Sequence, residues 1–124
     1  MKRQRATVIV EIERRILLVE NRGGLVLLPG GGINPEESPA QAAVRELGEE
    51  TGLTAASIGF LFAHESATNC HQVYLAQAAG QPRAGDDACA LHFLGASDDR
   101  LDERMSLATR TIIERFRRLA PGAR

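Results

Sequence analysis

Three glutamates, Glu46, Glu49 and Glu50, stand close together in the chain, and a glycine-rich run, Pro29-Gly30-Gly31-Gly32-Ile33-Asn34-Pro35, precedes them. Carboxylate oxygens are hard donors, so a cluster of them points to Mg²⁺ or Mn²⁺ rather than to zinc. Mg²⁺ usually binds through one or two carboxylates together with substrate phosphates, which makes a phosphorylated substrate the expected partner. Glycine lets backbone groups come close to a ligand, and the amides or carbonyls of such a run are placed to meet a phosphate or a metal. Two other common loop sites do not fit. The Gly-Lys-Ser/Thr ending of a P-loop is absent, and so is the alternate-position acidic spacing of an EF-hand.

Spacings of three and four residues bring side chains onto one face of a helix. Pro39 to Thr51 reads as that helix, with Ser38 as N-cap, Pro39 in the first turn, Gln41 completing a capping box and Gly52 ending it in the left-handed conformation. A wheel at about 100° per residue sets Ala40, Ala43, Val44, Leu47 and Thr51 as the core stripe and gathers the three glutamates on the opposite side. A merely solvated acidic face is the usual outcome for such a pattern. Here the energetics oppose it, because Glu46 repels both Glu49 and Glu50 by about a few tenths of a kcal/mol each. All three also lie near the helix C-terminus, where the macrodipole disfavours carboxylates. Arg45 compensates in part, and the remaining negative charge is what a divalent cation would neutralise.

The other elements have to hold this helix and run in place. Val8, Val10 and Ile12 alternate with Ile9, Glu11 and Glu13, which predicts a half-buried strand. Arg14-Arg15 reads as a turn into a second strand, Ile16 to Val19, and Leu25 to Leu28 as a short third strand stopped by Pro29. The run from Pro29 to Pro35, with three glycines and two prolines, reads as a shaped loop without regular structure. Ile58 to Ala63, Val73 to Ala79 and Leu91 to Leu94 read as strands, separated by polar loops at Glu65 to Asn69 and Gly80 to Asp87. Met105, Ala108, Ile112, Phe116 and Leu119 fall at helical spacing within a last helix from about Asp102 to Leu119, closed by Pro121-Gly122. The order predicts one domain over residues 1–124, an α/β fold with a mixed sheet flanked by helices.

Composition narrows the partners. The 15 Lys and Arg residues against 16 Asp and Glu give a formal net charge of -1, which disfavours nucleic acid as the main ligand. Cys70 and Cys89 lack C-x-x-C spacing and read as reduced thiols. The basic start, Met1 to Arg5, is followed by an apolar run that stops at Glu11, and no stretch approaches the ~20 apolar residues that span a bilayer. The expectation is a cytoplasmic protein with no membrane partner.

From Gly31 the chain reads five residues to Glu37, seven more to Arg45-Glu46-Leu47, then Gly48, Glu49-Glu50, Thr51, Gly52 and Leu53. This resembles an unbroken Nudix box, G-x5-E-x7-R-E-U-x-E-E-x-G-U, where U is bulky and apolar. The resemblance implies a Nudix fold, an α/β/α sandwich around a mixed sheet, and Mg²⁺- or Mn²⁺-dependent hydrolysis of a nucleoside diphosphate linked to another group. It further implies that Glu46, Glu49 and Glu50 bind metal with help from the Gly31 carbonyl, that Arg45 orients a glutamate through a salt bridge, and that Glu37 is a supporting carboxylate. Metal would lower the pKa of a bound water for attack on phosphorus. Glu49 is the favoured general base, with Asp87 and then Glu65 as loop alternatives.

Outside the box the chain departs from the specialised patterns. Leu25 and Val26 stand where an aromatic often precedes the Leu-Pro-Gly-Gly segment, and the marker segments of ADP-ribose, dinucleoside polyphosphate and NADH pyrophosphatases are absent. His64, His71, Phe60, Phe62, Tyr74, Phe93 and the arginines Arg110, Arg115, Arg117 and Arg118 receive no role, since each has an ordinary structural use. The competing reading is a catalytically silent Nudix-fold module that binds a nucleotide; RNA end processing ranks third on charge. The substrate and oligomeric state stay open, a homodimer included.

Overall fold

The computed structural model describes residues 2–96 and 101–119. Seven strands and two α-helices follow one another as β1 (Arg3–Ile12), β2 (Arg15–Glu20), β3 (Val26–Leu27), β4 (Gly30–Gly32), α1 (Pro39–Thr51), β5 (Thr54–Glu65), β6 (Asn69–Ala79), β7 (Ala90–Leu94) and α2 (Leu107–Leu119). The expected mixed sheet between helices is the fold observed. Its main path runs β3-β2-β1-β6-β5, with β4 beside β1 and β7 beside β2. β1 lies parallel to β6, Thr7 opposite Val73, and antiparallel to β4, Thr7 opposite Gly30.

The side-chain alternation of β1 builds two cores. Ile9 joins Leu18, Val26, Leu28, Val73, Ile112, Ile113 and Phe116 beneath α2. Ala6, Val8 and Val10 join Ala42, Ala43, Leu47, Leu53 and Tyr74 beneath α1. The expectation of a half-buried strand is therefore corrected: Ala6 to Val10 are buried on both faces, because helices cover both sides of a central, partly parallel pairing.

The run expected to lack regular structure is also corrected, since Gly30–Gly32 is strand β4. Gly30 has φ +154°, and a Cβ there would lie 2.2 Å from the Ala6 carbonyl oxygen, so glycine is what permits this strand to close on β1. Ser38 caps α1 with the expected reciprocal bonds to Gln41, and Gly52 ends it at φ 73°. The buried stripe is Ala42, Ala43, Leu47 and Thr51, whereas Val44 is 40% exposed. The helix turns Ala42 rather than Val44 into the core it shares with Ala6, Val8 and Val10. The polar loop expected at Glu65 to Asn69 shrinks to a tight turn, as β5 runs to Glu65 and β6 starts at Asn69. The last helix is broken: a 3₁₀ turn over Asp102–Arg104 precedes α2, and Leu119 is exposed. Pro121-Gly122 lies outside the described residues. Among the described residues no helix is long and apolar enough to cross a membrane.

Candidate active site

The box residues converge where β4 meets the C-terminal half of α1. Gly30 N–H donates to Glu50 Oε1 at 2.8 Å. Gly31 abuts Glu46 so closely that a Cβ would lie 2.5 Å from its Cδ and 2.6 Å from Oε2. Glu46 and Glu50 are therefore tucked against the glycine strand rather than spread over a solvated face, and Glu49 is the most open carboxylate in Arg45's ion pairs, its side chain 45% exposed against 14% for Glu46.

Arg45 organises the group. Its Nε and Nη2 grip Glu37 at 3.1 and 2.6 Å, and Nη2 also donates to the Gly32 carbonyl at 3.1 Å. Nη1 bridges Glu46 Oε1 at 2.7 Å and Glu49 Oε1 at 3.1 Å. This fork is a geometry that the point charge of lysine does not reproduce. The Arg45 guanidinium, first, and then the Asn34 amide hold Glu37 below the usual carboxylate range. Glu50 moves the other way. Burial, opposed by the Gly30 amide and reinforced by the Glu46 charge, pushes its pKa up to about 7.

A consistent division of oxygens results. Glu46, Glu49 and Glu50 each engage Oε1 within the protein, while none of the three Oε2 atoms has a hydrogen bond among the described residues. The donor chemistry suits a hard cation. The three carboxylates do not close into a ready cage, however: among the described residues no three acidic, imidazole or thiol groups are gathered tightly enough to hold an ion as they stand. Arg45 bridges two of the three.

The loop carboxylates sort differently from expectation. The segment from Gly80 to Asp87 docks on the end of α1, where Arg83 N–H donates to the Thr51 carbonyl at 2.9 Å and Gly85 N–H to the Glu50 carbonyl at 3.0 Å. Within it Asp86, held at φ +53°, is the residue whose charge reaches Glu50. The sequence favoured its neighbour Asp87, and adjacent aspartates in a turn offer no periodicity to separate them. Glu65 is paired with Lys2 at 2.7 Å. Arg5, unassigned from sequence, is half-buried and feels the charges of Glu50 and Glu46. Its signal was an arginine in phase with Thr7 and Ile9 on a central strand.

A family model described as the NUDIX domain matches residues 1–116. The chain is 34% identical to a candidate Nudix hydrolase family member from Chromobacterium violaceum, whose crystal structure superposes with a TM-score of 0.87 over 97% of this chain and 79% of that one. Among curated proteins, an RNA pyrophosphohydrolase of Brucella ovis is 61% identical over 31 residues, 25% of this chain and 17% of that protein. A candidate 8-oxo-dGTP diphosphatase of Bacillus subtilis is 48% identical over 58 residues, 45% of this chain and 39% of that protein. The chain thus spans well under half the length of either curated relative. Matched over nearly its whole length by the family model and by a solved fold, the chain belongs to the Nudix family.

Proposed function

We propose that the protein is a metal-dependent pyrophosphohydrolase that cleaves the diphosphate linkage of a nucleoside diphosphate derivative. The observation that carries this reading is the arrangement of Glu46, Glu49 and Glu50, each anchored through Oε1 with Oε2 left for a ligand. With the Gly31 carbonyl, these are the groups that would hold Mg²⁺ or Mn²⁺. A bound ion would neutralise the diphosphate and acidify water for attack on phosphorus. Glu46 and Glu50 are held by Arg45 and by the Gly30 amide, so their charges stay aimed at one place as the reaction proceeds. Glu37 fixes the Arg45 fork from behind. Glu49, the open member of Arg45's ion pairs, is positioned to take the proton from the attacking water, with Asp86 on the docked loop as the nearby alternative.

The test is a panel of nucleoside triphosphates, nucleotide sugars and dinucleoside polyphosphates incubated with Mg²⁺ or Mn²⁺. Release of a nucleoside monophosphate from at least one member is expected, and Glu49→Gln should lower kcat at least ~10²-fold with an unchanged melting profile. Equal turnover by both proteins would sink the role given to Glu49. Nucleotide binding without any turnover would favour a silent binding module.

A further inference from the structure

β5 closes one end of the sheet, bonded to β6 on one side and to no strand on the other among the described residues. A long edge is ordinarily guarded by lysine, proline or another charge. Over residues 54–63 β5 has none of these, and Glu65 is its only acidic residue. At the far end of the sheet path β3 has just two residues, too short to invite pairing. Register shifts at Ala55/Ser57 and Phe60/Phe62 mark bulges that bend the ends of β5 and spare its centre, the regular run 57–60.

Beside that run the side of the sheet under α1 is apolar. Ile58 packs against the cluster beneath α1, and Phe60, still 56% exposed, meets Tyr74 of that cluster edge-on with ring centroids 5.6 Å apart. Val44 stands out from the flank of α1, and with Ala40, Gln41, Arg45 and Ile58 it lines an open hollow of about 390 Å³. Strand edge, Phe60 and hollow thus adjoin one another, and burying Phe60 and Val44 would recover a hydrophobic gain the single chain forgoes.

We infer that two copies of the chain associate here, β5 pairing antiparallel with β5 of the second copy about a two-fold axis at Gly59. An uncharged edge meets its own copy without like-charge repulsion, and it offers a charged segment nothing to pair with. Antiparallel pairing of a strand with itself is isologous, so one patch supplies both halves of the contact. Side chains directly opposite share a side of the sheet, which places the axis on a residue rather than between two. With the axis at Gly59, Ile58 faces Phe60 of the second copy twice over, an aromatic–β-branched pair of the kind that stabilises sheets. Phe60 of the second copy then stands beside Ile58, the strand wall of the hollow. At the axis Gly59 faces Gly59, with no side chain to hold the backbones apart. At about 3.4 Å per residue β5 extends ~40 Å, and α1 flanks about 20 Å of it. Edge and flank offer on the order of 600 Å² per copy, at the lower end of specific interfaces, so the dimer is reversible with Kd in the micromolar range. None of this depends on the proposed activity.

The test is sedimentation equilibrium of the full chain across the micromolar range, where a monomer–dimer equilibrium is expected. Phe60→Lys and Val44→Lys bring like charges into the contact and should each raise Kd about tenfold or more while keeping the native circular dichroism spectrum. Gly59→Cys, combined with Cys70→Ser and Cys89→Ser, sets two thiols across the axis. Facing residues have Cα atoms ~4.5–5.5 Å apart, inside the ~4.4–6.8 Å that a disulfide spans, so mild oxidation should give a covalent dimer. Leu25→Cys in the same background, exposed but away from β5, should stay uncrosslinked. A Cβ at Gly59 meets nothing within 4 Å, so that variant decides the matter if Phe60→Lys fails to fold. A monomer at every concentration, or a dimer that the folded lysine variants leave intact, overturns the inference. A dimer that Gly59→Cys does not lock overturns the register.

Discussion

Gly31→Ala isolates the geometry of the carboxylate group from the stability of the fold. Gly31 is not among the positive-φ glycines, so alanine is permitted there by the backbone. What the new methyl meets is Glu46, with Cδ at 2.5 Å and the two oxygens at 2.6 and 2.7 Å. Real Cβ contacts essentially never fall below 3.0 Å and are ordinary from 3.4 Å, so the Glu46 carboxylate has to retreat by about 0.5 to 0.9 Å or swing away. Either movement disturbs the 2.7 Å bond from Arg45 Nη1. The stability loss should stay near or below ~1 kcal/mol, because that ion pair is partly solvated and the β1–β4 ladder is untouched. Activity should fall about 10²-fold, the order expected when a reacting or ligating group is misplaced by roughly 1 Å.

Two companions bracket this effect. Gly24→Ala, at φ +83° with nothing within 4 Å, should cost stability and leave turnover alone. Gly30→Ala drives its methyl to 2.2 Å from the Ala6 carbonyl oxygen in a strained conformation and should impair folding itself. Thermal denaturation, monophosphate release and Mn²⁺ titration on all three proteins supply the comparison. A Gly31→Ala protein with full activity, or one destabilised as severely as Gly30→Ala, would refute the reasoning.

Further outcomes follow from other contacts. Arg45→Lys replaces the fork that grips Glu37 while reaching Glu46 and Glu49, so kcat should drop at least ~10-fold although charge is conserved, as steady-state kinetics would show. His71 has a folded pKa of about 4 against an unfolded value near ~6.5, so its contribution to stability is complete above the unfolded value and lost as pH falls towards 4. Denaturant melts between pH 7 and pH 4 should therefore fall more steeply for the native protein than for His71→Gln, and parallel profiles would contradict this. Leu47→Ala, at a fully buried position on the inner face of α1, should cost about 2–5 kcal/mol by the same melts.

Local rules made much of α1 legible. Ser38, Pro39, Gln41 and Gly52 each have a stereochemical reason to stand where they do, and the helix begins and ends where they specify. The glutamate spacing likewise specifies a common side of the helix for the carboxylates. What remained hidden depended on distant chain. The glycine run became a strand because β1 was available to pair with it. Val44 lost its place in the core to Ala42, because periodicity gives an apolar side of the helix but not which flank of it meets the sheet. Asp86 rather than Asp87 is the loop acid whose charge raises the Glu50 pKa. Asn69 Oδ1 and His71 Nε2 are left buried without a hydrogen-bond partner among the described residues by packing between distant segments, which no local pattern encodes.

The docking of the 80–87 segment on α1 has a bearing on how substrate preference can change. Its two amide donors occupy the Glu50 and Thr51 carbonyls, groups that a helix end otherwise leaves open. A Cβ at Gly85 would lie 2.7 Å from the Glu49 carbonyl oxygen, so position 85 tolerates almost nothing larger. The segment is consequently not an exchangeable module. A transplanted or lengthened version that lost either donor, or the small residue at 85, would unfasten the turn that carries Glu49 and Glu50. Diversification is channelled instead into the residues between these anchors and into the turn at Ser66 to Asn69, which makes no hydrogen bond to α1 among the described residues.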